Sequence, residues 1–408
     1  MADAAVVIVG AGHSGAQAAV ALRQRGYPGS IAMIGSELDL PYQRPPLSKE
    51  FLSGERTLEQ ILIRPAAFWA TQRVNILLGR RAEAVDPQGR TVRLDDGSYF
   101  AYESLIWAAG GSPRHLTCPG RDLDGVHSVR NRGDVEQLRR ELKPDSSVAI
   151  VGGGYIGLEI AGVLVKRGIK VTVLEAQDRV LARVAGRELS TFFAAAHRAQ
   201  GVDVRTSTVV NRITGAGGRA TGVQLHTGET IRADLVIVGI GIEPSIEPLT
   251  AAGALGDNGV LVDEYCRTSL PGIYGIGDCA LHVNRFATRT PIRLESVQNA
   301  NDQASTAARA IAGNPAPYEA IPWFWSNQYD LRLQTIGLSA GYDQTVMRGD
   351  PERRSFSVIY LRGGRVRAID SVNAAADFAQ GRKLLLHPAA VDPERLADTA
   401  VPLSRYVS

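Results

Sequence analysis

The stretch AVVIVGAGHSGAQAAVALRQRGYPGSIAMIGSE, Ala5 to Glu37, decides the fold. It opens on a β-branched run that reads as a buried strand, turns on Gly10, Gly12 and Gly15 in GxGxxG spacing, continues at helical period and closes on a second strand. Together these make a complete βαβ dinucleotide-binding unit. In such a unit the glycines permit a tight turn, close approach of backbone N–H groups to a pyrophosphate, and close packing of helix on strand. Gly10, Ala11, Gly12 and Gly15 are therefore expected to cradle a pyrophosphate, and Glu37, just past the second strand, to hold a ribose hydroxyl. An isolated GxGxxG could equally be a simple glycine turn; the strand and helix around this one argue for function.

The plan recurs in SVAIVGGGYIGLEIAGVLVKRGIKVTVLEAQDRVL, residues 147–181, with Gly152, Gly154 and Gly157 after a strand and Glu175 closing the next. The chain thus carries the same nucleotide device twice. A carboxylate at that strand end accepts from both ribose hydroxyls and repels a 2′-phosphate, which favours NADH over NADPH. Arg179 and Arg183, a little further on, weaken that preference. Two other segments belong with these units. TSLPGIYGIGDCALH, residues 268–282, ends a short strand on Gly277 and Asp278, where an ionised side chain suits a polyol hydroxyl. SLIWAAGGSPR, residues 104–114, has the strand and glycine turn, at Ala109 and Gly110, of a hinge between two nucleotide folds.

Composition bounds the rest. A chain of 408 residues, 44% apolar and 21% charged, builds two or three globular domains, and a net charge of +3 with scattered basic residues gives neither a nucleic-acid tail nor a polybasic membrane anchor. The three cysteines, Cys118, Cys266 and Cys279, stand at irregular spacing with no CxxC or CxxxxC pair, which argues against a disulfide framework, a zinc site or a dithiol relay, and no metal site is expected. A reducing cytoplasm fits, and no run approaches the roughly 20 apolar residues of a membrane span.

With these motifs in order, the chain resembles the two-dinucleotide-binding-domain flavoproteins, the superfamily of glutathione reductase. PYQRPPLSK (41–49), GGGYIGLE (152–159), GIGDCA (275–280), RLESVQNANDQA (293–304) and PWFWSNQYD (322–330) together resemble the NADH-dependent ferredoxin reductases of the putidaredoxin reductase and oxygenase-coupled type. The resemblance implies FAD in the first fold and NADH in the second. It implies that Arg44, Pro45 and Lys49 lie along the isoalloxazine, Ala82 near the adenine, and Arg130 and Asp278 near the pyrophosphate and ribityl chain. A helix opening around Glu295, Ser296 and Val297 would aim its positive end at the flavin pyrimidine edge. Tyr155 would gate the nicotinamide pocket, and Glu159 would bind the carboxamide and pair with Lys49 near flavin N5. Ile156, Gly239, Ile240 and Gly241 complete the expected nicotinamide-nucleotide site. For Tyr155 and Glu159 the plain alternative is a helix start where any acidic side chain helps the dipole; for Lys49, a solvated surface lysine.

The expected architecture is α/β: two Rossmann-like domains with parallel sheets, plus a C-terminal mixed α/β domain. The boundaries are 1–112 with 241–320 for FAD, 113–240 for NADH and 321–408 for the remainder. Trp323, Phe324 and Trp325 make an aromatic entrance to that last part, either as core or, for Trp325 by resemblance, beside the flavin. Related disulfide reductases place a cysteine pair, and peroxide or oxygen reductases a single cysteine, where this chain has PYQRPPLSK. Electrons should therefore leave singly to an external carrier, a [2Fe–2S] ferredoxin serving a haem monooxygenase or a Rieske-type dioxygenase. Arg64, Arg309, Arg382 and Lys383 are candidates for a basic docking patch. A monomer is expected. Rival readings are an NADH oxidase or peroxidase of the same superfamily, and an NAD-responsive binding flavoprotein like apoptosis-inducing factor.

Overall fold

The computed structural model describes residues 2–287, 290–387 and 389–407. It resolves into two compact units, the first made of Met1–Arg44, Thr57–Ser112 and Glu243–Pro322, the second of Pro45–Arg56, Pro113–Ile242 and Trp323–Ser408.

In the first unit, strand Ala2–Val9 lies between Ile31–Gly35 and Tyr99–Trp107, parallel to both, with Val74–Leu78 beyond the former and Ile273–Gly275 parallel to the latter. The continuous apolar run is what a strand covered on both faces requires. Val6 and Ile8 pack on one side with Ala16, Ala19 and Leu22 of helix His13–Gln24 and with Ala304, Ala307 and Ala308 of helix Val297–Ile311. Val7 and Val9 pack on the other with Trp107, Leu249, Val260 and Ile273. The sheet is not purely parallel: Thr91–Leu94 and Ala82–Asp86 extend it as an antiparallel meander along the first half of Tyr99–Trp107. Short polar turns at 87–90 and 95–98 make that hairpin pairing local, so the meander needs no helical crossover.

The second unit holds a wholly parallel sheet in the order Asp203–Arg205, Lys170–Leu174, Ser147–Val151, Leu235–Val238, Val126–Ser128. A three-stranded antiparallel meander, Val210–Ala216, Arg219–Leu225 and Thr230–Arg232, shares its core through Val223, Ile231 and Val236. The same unit contains a five-stranded antiparallel sheet ordered Trp323–Gln328, Leu331–Gly337, Arg365–Val372, Ser355–Arg362, Gln344–Asp350, followed by helix Ala375–Leu386. Its last chain segment is clamped by the buried Arg348, whose guanidinium donates to Asp377 Oδ1 at 3.0 Å and to the carbonyls of Leu396 and Val401 at 3.1 and 3.0 Å.

A run of polar contacts joins the N-cap of helix Arg187–Ala199 to the five-stranded antiparallel sheet. Gly186 N donates to the Tyr360 hydroxyl at 3.0 Å, and that hydroxyl donates to Asp370 Oδ2 at 2.6 Å, while Thr335 Oγ1 donates to Asp370 Oδ1 at 2.7 Å. Burial pushes the Asp370 carboxyl up to about 6, because no cation is bonded to it and the two hydroxyls offset only part of the desolvation. A carboxyl raised above its unfolded value stabilises the fold while protonated, below about pH 4, and that contribution is lost as pH rises through about 6. The stability of the wild type relative to Asp370→Asn should therefore fall by up to about 3 kcal/mol between about pH 4 and pH 7 and then level off. Thermal unfolding of both proteins across that range checks this; parallel curves would remove Asp370 as the source.

Candidate functional site

The two glycine loops have the same division of labour. Gly10 has φ +111°, and a Cβ there would lie 2.2 Å from the Ala108 carbonyl oxygen; a Cβ on Gly15 would lie 1.9 Å from that of Gly10. In the second loop, Gly152 has φ +113° and its Cβ would lie 2.4 Å from Gly239 O, while that of Gly157 would lie 2.2 Å from Gly152 O. The first and third glycines are thus demanded by the protein's own packing. A Cβ on Gly12 or Gly154 would meet nothing within 4 Å. These middle glycines are N-caps of helices His13–Gln24 and Tyr155–Lys166, and neither helix has a side-chain cap. Open space plus uncapped N–H donors fits a pyrophosphate at each loop, the donors and the helix dipole supplying the binding.

Around the first loop, Ala11 sits against Gly35, and Ala109 and Gly110 follow strand Tyr99–Trp107, with Gly110 O accepting from Ser245 N at 3.0 Å. Glu37 is held by Tyr42 and Arg44, and the Arg44 guanidinium also donates to the Tyr42 hydroxyl at 2.8 Å. Arg44, expected by resemblance along the flavin ring, is thus engaged beside the ribose carboxylate candidate Glu37. Gly277 donates its N–H to Gln303 Oε1 at 2.8 Å, and a Cβ there would lie 2.2 Å from Ser14 Oγ, so the turn bearing Asp278 abuts the first helix. Arg293 donates to the Asp278 carbonyl at 2.9 Å and pairs with Glu295 at 2.8 Å. Ser296 caps helix Val297–Ile311, accepting from Asn299 N at 3.0 Å, and Val297 is the first helical residue. Ala82 is buried at the start of strand Ala82–Asp86.

Around the second loop, Glu175 Oε2 accepts from Gly153 N at 2.7 Å and Oε1 from Gln177 N at 2.8 Å, which fixes the carboxylate at the loop. Arg179, whose charge weakened the NADH preference in the sequence, is turned inward: it donates to Ala185 O at 2.7 Å, Ser190 Oγ at 2.6 Å and Ala182 O at 3.0 Å. The guanidinium of Arg183 lies against Gly241. Ile156 is half exposed, and Gly239, Ile240 and Gly241 follow strand Leu235–Val238, Gly239 N donating to Val151 O at 2.8 Å and Gly241 O accepting from Arg114 N at 2.9 Å. Arg130 stands before Asn131, the N-cap of helix Arg132–Glu141, its backbone N–H donating to Asp134 Oδ2 at 2.8 Å.

The third cluster joins residues far apart in sequence. Pro45–Ser48 forms a single 3-10 turn, which delivers Lys49 at the start of helix Glu50–Ser53. Lys49 Nζ pairs with Glu159 Oε2 across 110 residues, with the side chains 13% and 4% exposed. Ser48 Oγ donates to the same oxygen at 2.5 Å, and Ser326 Oγ donates to Oε1 at 2.6 Å. Removing one member of such a buried pair costs about 3–5 kcal/mol, because the other charge is left stranded. The Tyr155 ring lies 4.6 Å from that of Phe324 at 31°; its hydroxyl is shut from solvent and burial pushes its pKa up. Trp325 is half buried, its ring centroid 5.5 Å from that of Trp323. Ser48 and Ser326 are functional candidates that no local motif marks.

The pyridine nucleotide-disulphide oxidoreductase family model matches residues 4–304, and the reductase C-terminal model matches residues 323–407. The chain is 57% identical over 404 residues to a ferredoxin–NAD(P)(+) reductase of Sphingomonas sp., covering 99% of this chain and 97% of that one. It is 55% identical to the ferredoxin reductase subunit of a 5,5′-dehydrodivanillate O-demethylase of Sphingobium sp., with 98% of each covered. Among solved structures it is similar to putidaredoxin reductase in its covalent complex with putidaredoxin, with a TM-score of 0.95, 38% identity, and 100% and 99% of the chains covered.

The glycine geometry makes a contrast testable. In FAD-loaded protein without NADH, Gly157→Ala should lower stability by about 1–3 kcal/mol through overpacking, whereas Gly154→Ala should stay within about 1 kcal/mol and instead weaken NADH binding about tenfold or more. Equal destabilisation by both would show that the middle glycine serves the fold. With Glu175 fixed and Arg179 turned away, NADPH should also react at least about tenfold less efficiently than NADH, and Arg179→Gln should not narrow that gap. Steady-state kcat/KM values for the two nucleotides decide it.

Proposed function

The chain belongs to the pyridine nucleotide-disulphide oxidoreductase family, and from that premise we propose that it takes hydride from NADH onto FAD and passes single electrons to a [2Fe–2S] ferredoxin. The ferredoxin in turn would supply a haem monooxygenase or a Rieske-type dioxygenase. The enzyme is an FAD- and NAD(H)-dependent oxidoreductase of the ferredoxin reductase type. FAD, when bound, accepts two electrons as hydride and can release them one at a time.

The observation that carries the reading is what stands in PYQRPPLSK. This segment holds a lysine paired to a buried glutamate and has no thiol. Two of the three cysteines elsewhere are poor substitutes: Cys266 and Cys279 are buried, both thiols are pushed up by burial, Cys279 to about 11, and neither is paired in a disulfide. A thiol so far from its thiolate is inert as a nucleophile. Reducing equivalents have no thiol in this segment to rest on, which favours an external acceptor over disulfide or peroxide chemistry.

The residues divide the work as follows. Backbone N–H groups at Gly12 and Gly154 would hold the two pyrophosphates, Glu37 and Glu175 would take the riboses, and Ser296 starts the helix whose positive end would favour charge on the flavin. Pro45, Ala82, Arg130 and Asp278 would line the FAD site. Lys49 and Glu159 would orient the reacting rings, and Tyr155 would gate access. The domain division 1–112 with 241–320, 113–240 and 321–408 remains our functional partition. Among the described residues no helix is long and apolar enough to cross a membrane, and we place the enzyme in the cytoplasm as a monomer.

Anaerobic stopped-flow mixing with NADH should bleach the flavin in the wild type, and Lys49→Met should slow that phase about tenfold to a hundredfold. No bleaching by NADH would sink the whole reading; an unchanged rate in Lys49→Met would reduce the lysine to scaffold. Reduction of an acidic [2Fe–2S] ferredoxin should slow as ionic strength rises if basic residues such as Arg64, Arg309, Arg382 and Lys383 steer it.

A further inference from the structure

His197 lies in helix Arg187–Ala199, is fully buried, and takes no part in the site described above. Its Nε2 lies 2.8 Å from Gln328 Oε1; Gln328 Nε2 donates to Ser326 Oγ at 3.1 Å; and Ser326 Oγ donates to Glu159 Oε1 at 2.6 Å. The direction of every bond follows from the far end. A carboxylate only accepts, so the Ser326 hydroxyl hydrogen points to Glu159 and its oxygen accepts from the Gln328 amide. That places the Gln328 carbonyl towards His197, which must therefore carry its proton on Nε2. Nδ1 is left as an acceptor, and the Tyr329 hydroxyl, 2.9 Å away, donates to it.

Burial lowers the His197 pKa, in keeping with a neutral ring inside this chain of bonds. A second observation points to the same end. Tyr329 sits at the tip of the hairpin between Trp323–Gln328 and Leu331–Gly337 with φ +58°, a left-handed conformation that a bulky residue adopts only when its surroundings hold it there. Glycine would relieve that strain, and the tyrosine is held where its hydroxyl reaches His197.

We propose that His197 is a positioning residue for hydride transfer: as a neutral Nε2–H donor it locks the Gln328 amide, which commits Ser326 to one oxygen of Glu159 and leaves the other oxygen to Ser48 and Lys49. The proposal rests on the role assigned to Glu159 above. Without the His197 donor the Gln328 amide can turn over, Ser326 loses its donor, and Glu159 gains a rotation that takes it off Lys49. Small misplacements of an aligning group are felt strongly in the rate.

The test is anaerobic stopped-flow reduction of the holoenzyme by NADH in four variants. His197→Leu should slow flavin reduction about tenfold at saturating NADH with little change in apparent affinity. His197→Gln, whose amide nitrogen can reach Gln328 Oε1, should recover most of the rate. In a Glu159→Gln background, itself slow, His197→Leu should add less than about twofold, since both act through one carboxylate. Equal loss in His197→Leu and His197→Gln, a wild-type rate in His197→Leu, or multiplicative losses in the double variant would overturn the proposal while leaving the role of Glu159 intact. A wild-type rate in Glu159→Gln would overturn both. Independently of turnover, ¹⁵N spectra of the histidine rings should show one signal, absent from His197→Gln, from a neutral ring with its proton on Nε2 at the pH of the kinetic measurements; a His197 ring that is charged there, or is protonated on Nδ1, would refute the tautomer on which the chain depends.

Discussion

Much of the second unit is organised by the need to keep one carboxylate satisfied away from water. Glu159 sits in a helix whose neighbours Leu158 and Ile160 are fully buried, and it accepts from Ser48, Lys49 and Ser326. A bare carboxylate there would be prohibitively unstable, so the donors have to be delivered from wherever the chain can supply them. They come from two remote places, the 45–56 segment and the strand Trp323–Gln328. This is the physical reason that 45–56 packs with residues 113–242 and 323–408, although in sequence it interrupts the first dinucleotide fold. The contact of Arg139 with the Phe51 ring, 5.9 Å from its centroid, supports the same attachment.

The glycine loops show how a ligand requirement can be told apart from a folding requirement. At the first and third positions backbone atoms approach so closely that any side chain would collide with the protein itself. At the middle positions only empty space would be met, yet glycine is retained and the helix start is left uncapped. A fold left to optimise its own stability would place Ser, Asp or Asn at such an N-cap; helix Val297–Ile311 does this with Ser296, and helix Arg187–Ala199, which begins at Gly186, has its N-cap backbone tied to Tyr360. The asymmetry within each loop is evidence for two phosphate-bearing cofactors that no single glycine spacing provides.

What could be read in advance was what is local. The βαβ units and the strand-end carboxylates are short-range patterns in which period and spacing carry the physics, whereas the helix after Ser296 was expected through resemblance. The pairing of Lys49 with Glu159 was legible only through resemblance, since nothing in either segment refers to the other. Ser48, Ser326 and Gln328 lie within segments that carry the resemblance, yet their roles, like that of His197, were not legible: a Ser, Gln or His acquires meaning from the partner 111 to 167 residues away that completes its hydrogen bond. Arg179 is a charge whose place in the sequence says little. There it weakened the preference for NADH, but the carbonyls of the turn at 182–186 needed donors, and a five-donor guanidinium meets that need more fully than any other side chain. The antiparallel extension of the first sheet was missed because its strands are short and half exposed, which erases the apolar runs that marked the parallel ones.

The stiffness of PYQRPPLSK follows from the same carboxylate. A lysine chain has about 2 kcal/mol of rotamer freedom to lose on being held, and a flexible backbone would add to that. Pro45 and Pro46 set φ for the turn before the chain ends form any contact, and the turn places Ser48 and Lys49, adjacent in sequence, on the same oxygen of Glu159. In a protein that stored reducing equivalents on a thiol, this stretch would have to let a sulfur approach, react and withdraw. Here it has nothing to move. A rigid donor pair aimed at a fixed carboxylate keeps that carboxylate in place, and with no thiol in the segment the electrons are left to a partner that comes from outside.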